Sequence, residues 1–192
     1  TLCKSTTAGN NTAVGACALF ANTTGCENVA VGCGAMASTT EGNRSVAIGN
    51  NALFANTTGV NNTAAGWCAL ESNTTGTGNV GIGYEALEAN TTANNTTGLG
   101  YRALCSNTTG ADNVSVGGCS MRLNTTGHSN TAVGTCALYT NTEGDTNTAV
   151  GHHALKLNTT AADNTAVGRN ALCTTTTGCV NTAMGSSAMQ LN

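Results

Sequence analysis

The chain contains no proline, and aromatic residues make up only 3% of it, so neither a proline-rich extended linker nor an aromatic-filled core accounts for it. Charge is scarce too: 8% of residues, against about 25% in ordinary globular domains. Something else must cover the surface, and Thr, Asn and Ser are the candidates. A formal net charge of −3 with no basic cluster excludes a nucleic-acid partner. No apolar run approaches the roughly 20 residues of a membrane-spanning helix, so no membrane insertion is expected. No phosphate loop, carboxylate pair or oriented Cys–His pair stands out, and C-x-x-C pairs are absent. The expectation is therefore no enzyme, no cofactor and no metal.

What is present is a 17-residue repeat without one insertion or deletion, N-T-A-V-G-x-x-A-L-x-x-N-T-T-G-x-x. Ten full copies fill residues 11–180, with partial copies at 1–10 and 181–192, so 1–192 reads as a single repetitive domain. A strict short period means one small unit stacked on itself. Seventeen residues with two obligatory turns, rich in Thr, Asn and Gly, are too few and too poor in helix formers for a helix pair. The predicted fold is all-β: a β-solenoid or β-roll with one coil per repeat and about eleven coils, assembled side by side or end to end.

Numbered from its Asn, the repeat has Thr or Val at position 2, Ala, Gly or Ser at position 3, an aliphatic residue at position 4 and Gly at position 5. This reads as a short strand closed by glycine. Val14, Val31, Ile48, Ile82, Leu99, Val116, Val133, Val150 and Val167 at position 4 are the expected core ladder. The small residues at position 3 imply close approach to another layer, and two arrangements fit equally: a narrow coil interior or a subunit interface. A second apolar point lies at positions 8 and 9, as in Ala18-Leu19. All fifteen charged residues avoid positions 1 to 5, 8, 9, 12, 13 and 15, which marks these as inward or stacked.

Asn22, Asn56, Asn73, Asn90, Asn107, Asn124, Asn141 and Asn158 at position 12 are expected to form a hydrogen-bonded ladder between coils. All but Asn141 also stand in glycosylation sequons, as do Asn10, Asn43, Asn61 and Asn113. A ladder asparagine cannot also carry a glycan, so position 12 is assigned to the ladder and the turn sequons stay open. Ten cysteines occupy variable turns, which favours an oxidising compartment. Cys119 with Cys136, Cys17 with Cys33, and Cys173 with Cys179 are the expected disulfides; Cys3, Cys26, Cys68 and Cys105 are left for bridges between chains.

The units at Val29 to Ala35, Val46 to Ala52 and Val80 to Ala86, of the form V-A-V-G-x-x-A, resemble the head repeats of trimeric autotransporter adhesins and similar phage tail-fibre repeats. The resemblance implies a β-roll in which three chains wind side by side in a surface fibre. The longer repeat, the added N-T-T-G and the many cysteines depart from that family.

The expected function is structural: the shaft or subunit of an extracellular, cell-surface or virion fibre, built by self-association into a homotrimer or filament. The first and last segments are repeats cut mid-unit, so a piece of a longer array or ends stacking on other copies is expected. One alternative is an adhesin binding a glycan or cell-surface ligand through the variable turns, where Trp67, Tyr84, Tyr101 and Tyr139 sit. Another is ice binding by the threonines of positions 13 and 14.

Overall fold

The computed structural model describes residues 6–191. Each repeat contributes one three-residue strand: β1 (Thr12–Val14), β2 (Val29–Val31), β3 (Val46–Ile48), β4 (Thr63–Ala65), β5 (Val80–Ile82), β6 (Thr97–Leu99), β7 (Val114–Val116), β8 (Thr131–Val133), β9 (Thr148–Val150), β10 (Thr165–Val167) and β11 (Thr182–Met184). They form one parallel sheet in sequence order. Every strand residue lies opposite the residue seventeen further on, as Val46 opposite Thr63 and Ile48 opposite Ala65. The molecule is thus an all-β solenoid with one coil per repeat, and among the described residues there is no helix. At the usual rung spacing of about 4.8 Å the stack is about 50 Å long.

The corners are made by backbone shape. Position 5 is Gly with φ between 122° and 140°, and positions 7, 9 and 17 are left-handed in coil after coil. Asn, Asp and Gly recur at position 17 (Asn61, Gly78, Asn95, Asp112, Asp163), the residue types that tolerate this region best. Position 9 is different, because Leu or Met adopts φ of 46° to 54° there. An aliphatic side chain in that region is strained by roughly 1–3 kcal/mol. It is held there because the twist carries the side chain into the coil: Leu19, Met36, Leu53, Leu70, Leu87, Leu104, Met121, Leu138, Leu155 and Leu172 are fully buried. Such burial is worth about 1.5–3 kcal/mol per side chain, enough to offset the strain.

The core differs from the expected one. Position 4 points outward: Val14 is 56% exposed and Ile48 48%, while Ile82, Leu99 and Val133 are exposed as well and Val31, Val116, Val150 and Val167 are only half-buried. The inward strand residue is position 3, with Ala30, Ala47, Ala64, Ala132, Ala149 and Ala166 fully buried. Space is the reason. At Gly81, a Cβ would sit 3.1 Å from Leu70 Cγ and 3.1 Å from the Ala86 carbonyl oxygen. The leucine of the preceding coil fills the volume beneath each strand, so nothing larger than Ala or Ser fits above it. Of the two arrangements open for position 3, the narrow interior is the one formed. The core is a column of Ala at positions 3 and 8 around a column of Leu at position 9.

Two columns of asparagine close the remaining sides. At position 12 the ladder forms as expected: Asn73 Nδ2 donates to Asn56 Oδ1 at 3.0 Å, Asn90 to Asn73 at 2.8 Å, Asn107 to Asn90 at 3.0 Å, Asn124 to Asn107 at 2.7 Å, Asn141 to Asn124 at 2.9 Å and Asn158 to Asn141 at 2.6 Å. The same nitrogen also donates to the position-15 carbonyl of its own coil, as Asn73 to Gly76 at 3.1 Å. Asn22 is buried and bonds Gly25 in that way, but Thr39 stands between it and Asn56. The interruption leaves Asn22 Oδ1 and Thr39 Oγ1 buried without a hydrogen-bond partner.

Position 1 supplies a second column. Asn62 Oδ1 accepts the backbone N–H of Asn79 at 2.9 Å, and Asn62 Nδ2 donates to the Gly76 carbonyl at 2.8 Å. The Gly76 carbonyl therefore receives one amide from each column within its own coil, while Asn62 Oδ1 accepts from the coil after it and Asn73 Nδ2 donates to the coil before it. Position 13 adds a third tie, since each Thr hydroxyl donates to the carbonyl of the Thr one coil on, as Thr57 to Thr74 at 3.1 Å.

Candidate functional site

Among the described residues the rod has no cavity or cleft, so whatever it recognises must meet its surface. Two surface features are organised on more than one coil.

The first is the outer face of the sheet. Positions 2 and 4 project from it on all eleven strands, and no charged residue occupies either column. Position 2 is Thr or Val; position 4 carries Val, Ile, Leu, Ala or Met. Because the strands are parallel and in register, like residues form continuous files. The result is a charge-free strip of Thr and aliphatic side chains on the order of 500 Å².

The second lies at the corner of positions 6, 7 and 10 in the fourth to sixth coils. Trp67, Tyr84 and Tyr101 share position 6 and stack along the rod, with ring centroids 5.0 Å and 5.4 Å apart and planes within 13° of parallel. The sequence shows three separate turn aromatics. That they form one column follows only once the repeats are placed in register. Arg102 stands beside them, its Cζ 5.5 Å from the Tyr101 centroid, and its Nε donates to the Glu85 carboxylate one coil below. Glu85 is 6% exposed. Its carboxyl is held below the ordinary carboxylate range chiefly by the Arg102 hydrogen bond, against an opposing push from burial.

Two thiols adjoin this corner. Burial and then a hydrogen bond with Glu71 push Cys68 up to about 12; burial and then a hydrogen bond with Glu88 push Cys105 up to about 11. Both are therefore protonated at neutral pH and are poor nucleophiles. Donor atoms of Glu85, Glu88 and Cys105 lie within 4.8 Å of one another. The Arg102 guanidinium already supplies the cation at Glu85, which fits an ion pair better than a metal centre. Because the folded pKa of Glu85 is lowered, its stabilisation is complete above the ordinary carboxylate range and is lost as the pH falls through the depressed value. Melting curves across that range should show a loss of stability at low pH that is smaller in Glu85→Gln; equal slopes would remove the pair from the account.

The expected disulfides are absent: the nine described cysteines, Cys17, Cys26, Cys33, Cys68, Cys105, Cys119, Cys136, Cys173 and Cys179, are free thiols, and Cys3 lies outside the described residues. Cys119 and Cys136 share position 7 in successive coils. Equivalent side chains of successive in-register rungs are about 4.8 Å apart, wider than the roughly 3.8 Å mean Cβ separation of a disulfide. Cys17 and Cys33 sit on different columns and are both exposed. Cys179 Sγ instead meets the Ala162 N–H at 3.4 Å and the Thr177 carbonyl at 3.6 Å, while Cys173 is half-buried at another corner.

The threonines named for ice binding divide. Position-13 hydroxyls are committed to carbonyls of the next coil, from Thr23 to Thr159. Position 14 is exposed in every coil but forms a single file, interrupted by Glu41 and Glu143.

Comparison with known proteins found no match among family models, curated proteins or solved structures.

Proposed function

We propose that the chain is a non-enzymatic structural element, the shaft or subunit of a fibre displayed on a cell or particle surface, and that it works by associating with further copies through the outer face of its sheet. The carrying observation is the uncharged strip of positions 2 and 4. A sheet face turned permanently to water is expected to carry polar or charged residues, and here eleven successive strands carry none that is charged. In-register stacking suits this strip to a like strip on another rod, with aliphatic files interdigitating along the whole length. Three rods around a common axis would bury all three strips at once, in keeping with the resemblance to trimeric adhesin heads. The corner chemistry then stays outside, where Trp67, Tyr84 and Tyr101 are available to a surface ligand.

Analytical ultracentrifugation of the wild-type chain and of an Ile48→Lys, Ile82→Lys variant tests this. Both positions are exposed in the isolated rod, so the variant should keep its coil and its melting behaviour. Facing charges cost several kcal/mol when desolvated, so association should weaken by about a hundredfold or more. A wild-type chain that stays monomeric at high concentration would overturn the proposal. A monomer that produced thermal hysteresis would instead assign the same strip to ice, a reading favoured by its regular spacing and the Thr of its position-2 file.

A further inference from the structure

The glycan acceptors and the coil compete for the same nitrogen atoms. Position 12 carries N-T-T at Asn22, Asn56, Asn73, Asn90, Asn107, Asn124 and Asn158, and position 1 carries N-V-S at Asn113. Each is a complete acceptor for N-glycosylation, with no proline to block it. In the folded rod all eight asparagines are fully buried. From Asn73 onward, the position-12 acceptors use both amide hydrogens: Asn107 Nδ2, for example, donates to Asn90 Oδ1 at 3.0 Å and to the Gly110 carbonyl at 3.0 Å. Asn113 Nδ2 donates to the Gly127 carbonyl at 2.7 Å.

Glycosylation joins the amide nitrogen to the anomeric carbon of a lipid-linked oligosaccharide. One N–H becomes an N–C bond, the lipid pyrophosphate leaves and the proton goes to a base. A sugar on a position-12 nitrogen from Asn73 onward would remove one of its two hydrogen bonds, and a sugar on any of the eight would need room at a fully buried place. The third residue of each position-12 N-T-T is a position-14 threonine and is exposed, so the fold itself does not call for a hydroxyl there. In the secretory lumen the transferase meets the extended chain before any coil forms, when every acceptor is open.

We infer that this chain reaches its fold in a compartment that does not N-glycosylate, so that the rod is completed before display or is exported by a route that bypasses a glycosylating lumen. This rests on the fold and the amide ladder alone and stands whether or not the fibre proposal does. It separates two destinations grouped together by sequence: a particle fibre assembled inside a cell remains open to the chain, and passage through a glycosylating secretory lumen does not.

The test expresses the full chain in one eukaryotic cell line, either in the cytosol or behind a leader that directs it to the secretory lumen. Three lumenal samples are compared: the wild type, the wild type with lipid-linked oligosaccharide synthesis blocked, and a variant lacking the eight buried acceptors. The variant carries Thr24→Ala, Thr58→Ala, Thr75→Ala, Thr92→Ala, Thr109→Ala, Thr126→Ala, Thr160→Ala and Ser115→Ala. It leaves every ladder asparagine in place, and its cytosolic form must melt like the cytosolic wild type. Mass spectrometry reads site occupancy, and protease resistance reads folding. The expected result is a lumenal wild type occupied at position 12 with loss of the protease-resistant form, and recovery of that form both in the blocked sample and in the variant. A lumenal wild type that folds, with or without sugars at position 12, overturns the inference. Failure of the blocked sample and the variant to recover overturns it too, since sugars would then not be the cause.

Discussion

Replacing Asn107 by leucine, a side chain of similar size, is expected to destabilise the rod by about 2–5 kcal/mol. The substitution leaves shape nearly unchanged and removes two links of the ladder at once. Asn90 Oδ1 loses the donor that reaches it at 3.0 Å, and Asn124 Nδ2 loses the acceptor it reaches at 2.7 Å. Both groups remain fully buried. The Gly110 carbonyl also loses one of its two side-chain donors, keeping the Thr96 hydroxyl at 3.3 Å. Denaturant unfolding of wild type and variant measures the difference; a loss below about 1 kcal/mol would mean that the ladder contributes no more than ordinary packing. The reverse substitution already has a site prepared for it. Thr39 interrupts the same column and leaves two buried oxygens unpartnered. Thr39→Asn should join Asn22 to Asn56 and raise stability by about 1–2 kcal/mol.

Gly66→Ala should cost at least about 3 kcal/mol. Position 5 meets two independent prohibitions. Gly66 has φ of 140°, a region that side chains rarely adopt, and a Cβ there would lie 2.3 Å from the Gly83 carbonyl oxygen, which is backbone and cannot turn aside. Relief would require two coils to part, opening the strand pairing on either side. Gly118→Ala is the matched control, because no atom lies within 4 Å of its added Cβ. That variant should be neutral or slightly stabilising. Hydrogen exchange would locate the damage from Gly66→Ala in the fourth and fifth coils. Equal melting temperatures for the two variants would contradict the account given of position 5.

Much of this architecture is legible in the residues. The period, the strand at positions 2 to 4, the glycine that closes it and the ladder at position 12 all follow from side-chain types and spacing. The inward face of the strand does not. Alternation of Val with Ala conventionally places the larger residue inside, but the Leu of position 9 fills this coil first, and only Ala, Gly or Ser fits above it. The signal that could have decided it was tolerance: position 4 accepts Ala65 and Met184, whereas position 3 never exceeds Ser. The second asparagine column was also overlooked. Position 1 is replaced only by Ser45 and Thr96, and a restriction to hydrogen-bonding side chains at a buried place is the mark of a ladder. The left-handed leucines had no signal at all, since leucine is not a residue that announces this conformation.

The invariance of the coil-to-coil contact has a consequence for how such a chain can change. Each coil presents to the one above it the same carbonyls and amides that it receives from below, and strand pairing joins only immediate neighbours. Any repeat can therefore sit on any other. Unequal exchange between the repeated stretches of its coding sequence, removing or adding whole multiples of seventeen codons, would yield a shorter or longer rod with the same strand pairing from coil to coil. Substitutions at positions 6, 10 and 16 would meanwhile accumulate with little penalty to the frame. Length and decoration are thus inherited separately, and a lineage can alter the reach of the rod without rewriting what it shows along its corners.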